Sequence, residues 1–211
     1  MSIVTYPTLS AEEVDAVVHG YHGDPFRVLG PHKLEDGGLV LRTMRPDATA
    51  VSVVYGDTAV SMHQSHPDGL FELILPDQSL PFQYQYRLEF GENTALHEDV
   101  YRFGASLTDF DAYLMAEGSH QRMYAKQGAH LTHHDGLDGV MFRVWAPNAL
   151  RVSVVGEFNN WDGRIHPMRF HPNSGVWELF IPDLGEGTLY KYEIKTRYKN
   201  YMVVKTDPVG F

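Results

Sequence analysis

A chain of 211 residues, 43% hydrophobic and 21% charged, has ordinary globular composition and room for one large or two medium domains. No run of about 18 apolar residues and no basic-then-apolar leader is found, so neither a membrane span nor secretion is indicated; zero cysteines exclude disulfides and thiolate metal sites, and the expected compartment is the cytoplasm. The net charge of −10 sits wholly in the first part, where residues 1–128 carry 8 Lys+Arg against 18 Asp+Glu and residues 129–211 carry 9 of each, which argues against nucleic acid as a ligand.

The first predicted element is a helix in "LSAEEVDAVVHGYHGDPF", with Ser10 and Glu13 as a capping box, Val14, Val17, Val18 and Tyr21 at helical spacing, and Gly20 or Gly23 as its end. Alternating strands follow in "LVLRTM", "AVSVVY", "LFELIL" and "FQYQYRLEF", separated by "RPDA", "HPDG" and "GEN" turns. A second short helix, "TDFDAYLMAEG", is expected between Thr108 as cap and Gly118 as terminator, followed by the polar "SHQRMYAKQGAH".

The second half restates the first. "RPDATAVSVVY" (45–55) matches "APNALRVSVVG" (146–156), "GLFELILPD" (69–77) matches "GVWELFIPD" (175–183), and "YQY" (84–86) matches "YKY" (190–192), at offsets of 101, 106 and 106. The predicted fold is therefore all-β: two tandem immunoglobulin-like β-sandwiches with a short N-terminal helix and a short connector helix, divided as 1–104, a connector 105–130, and 131–211. The change of offset places five extra residues around "EFNNWDG" in the second copy, with no Trp in the first copy's equivalent and Gln85 opposite Lys191. A loop that one copy dispenses with is not required by the fold.

A glucose ring presents an apolar C–H face and a rim of hydroxyls. Trp161 offers a flat stacking plate, Asn159 and Asn160 donate and accept, Lys191 donates and Asp162 accepts, so this loop and strand have the chemistry to hold a sugar. In "LYKYEIK" Tyr190, Tyr192 and Ile194 should face inward, with Lys191 toward solvent. The structural alternative is that Trp161 caps a core or meets a neighbouring domain, and Trp145 and Trp177, in apolar strand patterns, read as core or domain-contact residues. No carboxylate pair, phosphate loop or nucleophile elbow stands out, and "HLTHHDG" (130–136) reads as solvated histidines in the connector, so no catalytic residue, metal or cofactor is expected.

"DPFRVLGPH" (24–32), "DVYRFG" (99–104), "FRVWAPNALRVSVVGEFNNWDGRIHPM" (142–168), "GVWELFIPD" and "YKYEI" closely resemble the amino-terminal part of bacterial glycogen branching enzymes, an N1 domain followed by a family 48 carbohydrate-binding module. The resemblance implies a parent that forms α-1,6 branches by transferring α-1,4-glucan segments on a barrel following "TDPVGF", whose catalytic carboxylates this chain lacks. It also implies that Trp161 stacks on glucose and Lys191 bonds its hydroxyls. A second stacking Trp of some relatives has only Tyr198 or Tyr201 in its stretch, and Tyr201 is taken into the expected site; Val100 departs from the usual Asp-Pro, which Asp207-Pro208 keeps in the second copy.

Three functions are thus open: a non-catalytic segment that binds and guides α-1,4-glucan, a structural segment docking the barrel through Trp145 and Trp177 with little sugar affinity, and a stand-alone glycogen-binding or protein-interaction module. The expected partners are an α-1,4-glucan and the catalytic barrel of the parent chain, with no nucleic acid and no membrane.

Overall fold

The structure, a computed structural model, describes residues 6–35, 37–117, 126–198 and 201–210. Helix termination at Gly118 lies outside the described residues. The chain clusters into two compact units, one from the residues up to Gly20 with Phe26–Arg102, the other from Tyr21–Pro25 with the residues from Phe103 onward. No helix among the described residues is long and apolar enough to cross a membrane.

The first unit opens with helix α1, Ala11–Val18, started by the expected capping box: the Ser10 hydroxyl accepts from the Glu13 amide while the Glu13 carboxylate accepts from the Ser10 amide. Gly20, at a positive φ of 63°, follows its end. Strands β1 (Gly30–Lys33), β2 (Leu39–Met44), β6 (Leu70–Leu75) and β5 (His63–His66) form one antiparallel sheet in the order β1-β2-β6-β5. Strands β4 (Thr58–Ser61), β3 (Ala50–Tyr55), β7 (Gln85–Phe90) and β8 (Asn93–His97) form the other, in the order β4-β3-β7-β8. Leu39 and Leu41 of the first sheet meet Val51, Val53, Tyr86 and Leu88 of the second in one core.

The second unit follows the same plan. Its sheets are β9-β10-β13-β12 and β11-β14-β15, from β9 (Gly128–His134), β10 (Leu137–Trp145), β11 (Ala149–Gly156), β12 (Arg169–His171), β13 (Val176–Pro182), β14 (Tyr190–Thr196) and β15 (Met202–Lys205). Phe142 of β10 packs edge-on against Tyr190 of β14, ring centroids 4.8 Å apart, across the sandwich. The expected all-β architecture of two sandwiches is present, and the repeat maps β2, β3, β6 and β7 onto β10, β11, β13 and β14.

The repeat reaches further than the strands. Helix α2, Asp109–Ala116, is capped by the Thr108 side chain, and Ser106 two residues earlier donates its amide and hydroxyl to Glu178 of β13 (3.0 and 2.9 Å). In the first unit Thr8, two residues before the Ser10 cap, donates the same two groups to Glu72 of β6 (2.9 and 3.3 Å). Helix α2, expected as part of a connector, is thus the leading helix of the second copy: Ala112, Met115 and the preceding Leu107 pack on Val176 of its own sheet. Residues 130–134, expected in the connector too, are paired in β9 along β10.

Both copies end their core at a shared aspartate. Asp99 accepts from the Tyr84 and Tyr86 hydroxyls and the Tyr101 amide; Asp207 accepts from the Tyr190 and Tyr192 hydroxyls and the Val209 amide. Val100 in place of Pro208 leaves this arrangement intact. Burial above all pushes the Asp99 carboxyl and the Tyr84 and Tyr86 hydroxyls up.

Candidate functional site

The extra five residues lie in one place. In the first unit β3 turns through Gly56-Asp57 into β4, Ser52 faces Ser61, and the Met62 amide donates to the Val51 carbonyl (2.8 Å). In the second, Ser153 faces Pro167 and the Met168 amide donates to the Val152 carbonyl (2.8 Å), so the pairing at this sheet edge survives. Between these points a two-residue hairpin turn has become the loop from Gly156 to Ile165.

Asn159 organises this loop from inside. At 1% exposure, its Oδ1 accepts from the Gly156 amide (2.9 Å) and its Nδ2 donates to the Val154 carbonyl and to His166 Nδ1 (2.9 Å each). The expectation that Asn159 meets a sugar is corrected by this burial: its amide is consumed by the loop, and it acts by positioning its neighbours. A 3-10 turn, Glu157–Asn159, then delivers Asn160 and Trp161 in the left-handed region, at φ 53° and 59°. A bulky residue there is strained by about 1–2 kcal/mol. The Trp161 amide is tied to the Gly156 carbonyl (2.9 Å), leaving the indole 44% exposed.

Opposite Gly156 in the sheet stands Tyr190, and the next residue, Lys191, faces Val155. Lys191 is exposed as its alternation demands, and its Nζ lies 6.0 Å from the Trp161 ring centroid. Trp161 and Lys191 are thus brought together, and the exposed Asn160 directly precedes the indole in the chain. Asp162 is beside them, half-buried, clasped by the Arg164 backbone amide (2.9 Å) and by its guanidinium (2.7 Å from Nη2 to Oδ2). Burial works against its charge, but the bonds from Arg164 outweigh it and hold the carboxyl below its ordinary value. Tyr201 is not brought to the plate. It is 62% exposed, but its carbonyl accepts from the Thr196 amide (2.8 Å), five residues along β14 from Lys191, or about 16 Å at the rise of a strand.

The residues under the loop were not expected from the sequence. Arg151 donates to the Gly163 carbonyl (2.5 Å) and pairs with Glu193, and both charged groups are buried on the face of β11 and β14 that the loop covers. A Cβ on Gly163 would overlap the Glu193 carboxylate. The signal lay in the alternation itself: Lys191, Glu193 and Lys195 share the outer face of β14, where Glu193 pairs with Ser153 and lies diagonal to Arg151.

Trp177 is a core residue, 1% exposed, its indole N–H donating to the Ala146 carbonyl (3.0 Å). Trp145 is not: it is 58% exposed, its N–H donating to the Ser174 carbonyl (3.1 Å), beside a groove lined by Pro147, Arg197 and Tyr198. Among the described residues no three His, Asp or Glu side chains converge as a metal site.

Comparison with known proteins agrees with this division. Residues 10–101 match the family of the alpha-1,4-glucan branching enzyme GlgB N-terminal domain, and residues 126–210 match carbohydrate-binding module 48 (isoamylase N-terminal domain). Proteins named 1,4-alpha-glucan branching enzyme GlgB are similar along nearly the whole chain. That of Rhodospirillum rubrum is 45% identical over 97% of this chain and 29% of its own length; that of Gloeobacter violaceus, 47% over 97% and 28%; that of Rhodopseudomonas palustris, 50% over 95% and 28%. The chain thus spans less than a third of the length of these relatives. The chain carries a branching-enzyme N-terminal domain followed by a carbohydrate-binding module 48, and matches the amino-terminal segment of the glucan branching enzymes.

Proposed function

We propose that the second unit binds α-1,4-glucan chains on Trp161 and Lys191, and that the chain serves as a non-catalytic segment guiding such chains to the active site of a branching enzyme. The observation that carries this reading is the Trp161 loop. One copy of a duplicated fold replaces a two-residue turn by a strained loop, and the loop holds an exposed indole 6.0 Å from an exposed ammonium. The C–H face of a glucose ring stacks on the indole, Lys191 donates to the ring hydroxyls, and the Asn160 amide adds a donor and an acceptor at the rim. Asp162, held by Arg164, keeps the loop closed from the other side. Because the plate is built before the sugar arrives, little ordering opposes binding.

Titration of maltoheptaose into the chain and into Trp161→Ala tests this. Saturable binding to the first and at least tenfold weaker binding to the second is expected; equal affinities, or none in either, overturn it. A second reading, docking on a catalytic barrel, is favoured by Trp145, whose exposed ring joins Ala146, Pro147, Ile194 and Tyr198 along a groove of about 450 Å³, a contiguous apolar surface of the kind that marks interaction sites.

A further inference from the structure

The two copies differ at a second place. In the first unit Phe82 plugs the edge of the sandwich, packed edge-on to Tyr55 (5.1 Å) and stacked on Tyr84 (5.3 Å). The offset of 106 puts Thr188 where Phe82 stands, and Tyr55 is replaced by Gly156. With no ring at position 188, and with the Phe158 ring packed over Gly156, the second unit has a cleft of about 700 Å³ between its sheets, walled by Val140, Phe142, Thr188 and Tyr190.

The rim has changed with the plug. Around it the first unit carries polar side chains bonded to one another: Gln85 donates to Glu98 (2.7 Å), Arg102 pairs with Glu98 (2.9 Å) and reaches Gln83 (3.5 Å). Their counterparts are Lys191, Thr206, Gly210 and Leu189, and the register of β9 on β10 sets Leu131 where Lys33 stands. Leu131 and Leu189 are 63% and 72% exposed, and with Thr206 and Gly210 they line the cleft. An open apolar-rimmed cleft of this volume is of ligand-binding size.

The cleft adjoins the Trp161 plate. Leu189 lies two residues before Lys191, and Gly156, whose carbonyl holds the Trp161 amide, packs so closely on the Leu189 carbonyl that a Cβ would not fit. We infer that the glucan contact begun at Trp161 and Lys191 continues over Leu189 into this cleft, which takes the further sugar units of the same α-glucan chain. This rests on the glucan reading above. The ring C–H faces meet Leu131, Leu189 and Phe142, while Thr206, Glu186 and the Tyr190 hydroxyl oxygen offer polar partners to the sugar hydroxyls.

Restoring the first copy's residues tests it. Thr188→Phe refills the cleft, and Leu131→Lys, on the exposed rim, changes its chemistry without touching the packing. Both variants, titrated with maltotriose and maltoheptaose, should keep wild-type affinity for the trisaccharide, which the plate alone accommodates. For the heptasaccharide we expect a loss of fivefold or more in Thr188→Phe and about threefold in Leu131→Lys. In the unaltered chain the methyl resonances of Leu131 and Leu189 should shift with maltoheptaose. Wild-type heptasaccharide affinity in both variants, or unmoved methyls at saturation, overturns the inference while leaving the plate in place; a Trp161→Ala variant that binds as wild type would instead remove the glucan reading itself.

Discussion

Glu178 of β13 and Arg143 of β10 are cross-strand partners joined by a buried ion pair, 2.7 Å from Oε2 to Nε. The first unit repeats it with Glu72 and Arg42, also cross-strand partners, at 3.5 Å. In each unit the carboxylate also receives the amide and hydroxyl of the residue two places before the helix cap, so one buried charge fastens the leading helix to its sheet. Burial alone would favour the protonated acid of Glu178, but hydrogen bonds from His171, Arg143 and Ser106 hold it far below the carboxylate range. A depressed folded pKa stabilises at pH values above the unfolded pKa, about 4.3, and that stability is lost as the pH falls toward the folded value, at about 1.4 kcal/mol per pH unit. Chemical denaturation at stepped pH should show this acid limb, and Glu178→Gln should flatten it. At neutral pH that variant, with Arg143 left uncompensated, should lose about 3–5 kcal/mol.

Asn159 and Asn160 are neighbours with opposite duties, and alanine substitution should separate them. Asn159→Ala leaves the buried Gly156 amide and Val154 carbonyl without their partners and should cost about 2–3 kcal/mol in thermal or chemical unfolding. It should also weaken maltoheptaose binding, because the loop that holds Trp161 loosens. Asn160→Ala, at an exposed position but in the left-handed region that Asn tolerates better than Ala, should cost only about 1 kcal/mol. Comparable stability losses in the two variants would contradict the assignment of Asn159 as the internal brace.

That distinction shows what the sequence made legible. The alternation in β2, β3, β6 and β7 and the capping box of α1 carry their own signal, because one face of each is buried. The edge strands β4, β5, β8 and β15 do not: their side chains are largely exposed, so no apolar period marks them. The kinship of α1 and α2 was hidden because it resides in the polar frames Thr8-Leu9-Ser10 and Ser106-Leu107-Thr108, while the helical faces diverge. In "FNNW" the exposed Trp161 could be read from the duplicated fold. Which asparagine turned inward could not, since that depends on two successive left-handed residues.

Lys191→Gln converts the second copy to the residue of the first. The ammonium is exposed, so the fold should be unaffected, while maltoheptaose affinity should fall several-fold as a charged donor to the sugar hydroxyls becomes a neutral one. Tryptophan fluorescence can follow both, since the Trp161 ring lies 6.0 Å from the ammonium. Wild-type affinity in Lys191→Gln together with lost affinity in Trp161→Ala would confine the contact to stacking.

Gly163 tests whether the loop is braced by the charges beneath it. Its φ is not in the left-handed region, so backbone freedom is not the reason for glycine; space is. A methyl group there would overlap the Glu193 carboxylate, and Glu193 cannot retreat without releasing Arg151, which also holds the Gly163 carbonyl. Gly163→Ala should therefore destabilise the chain by about 3 kcal/mol, the joint cost of overpacking and of a disturbed buried pair. Removing the carboxylate as well makes room but strands Arg151, so Gly163→Ala with Glu193→Ala should recover little. A double variant with Glu193→Gln, which keeps an acceptor on a rotatable amide, should fare no better, because it keeps the bulk. If Gly163→Ala proves neutral in denaturant titration, the loop has room to move, and the rigid placement of Trp161 on which strong stacking depends would fail with it.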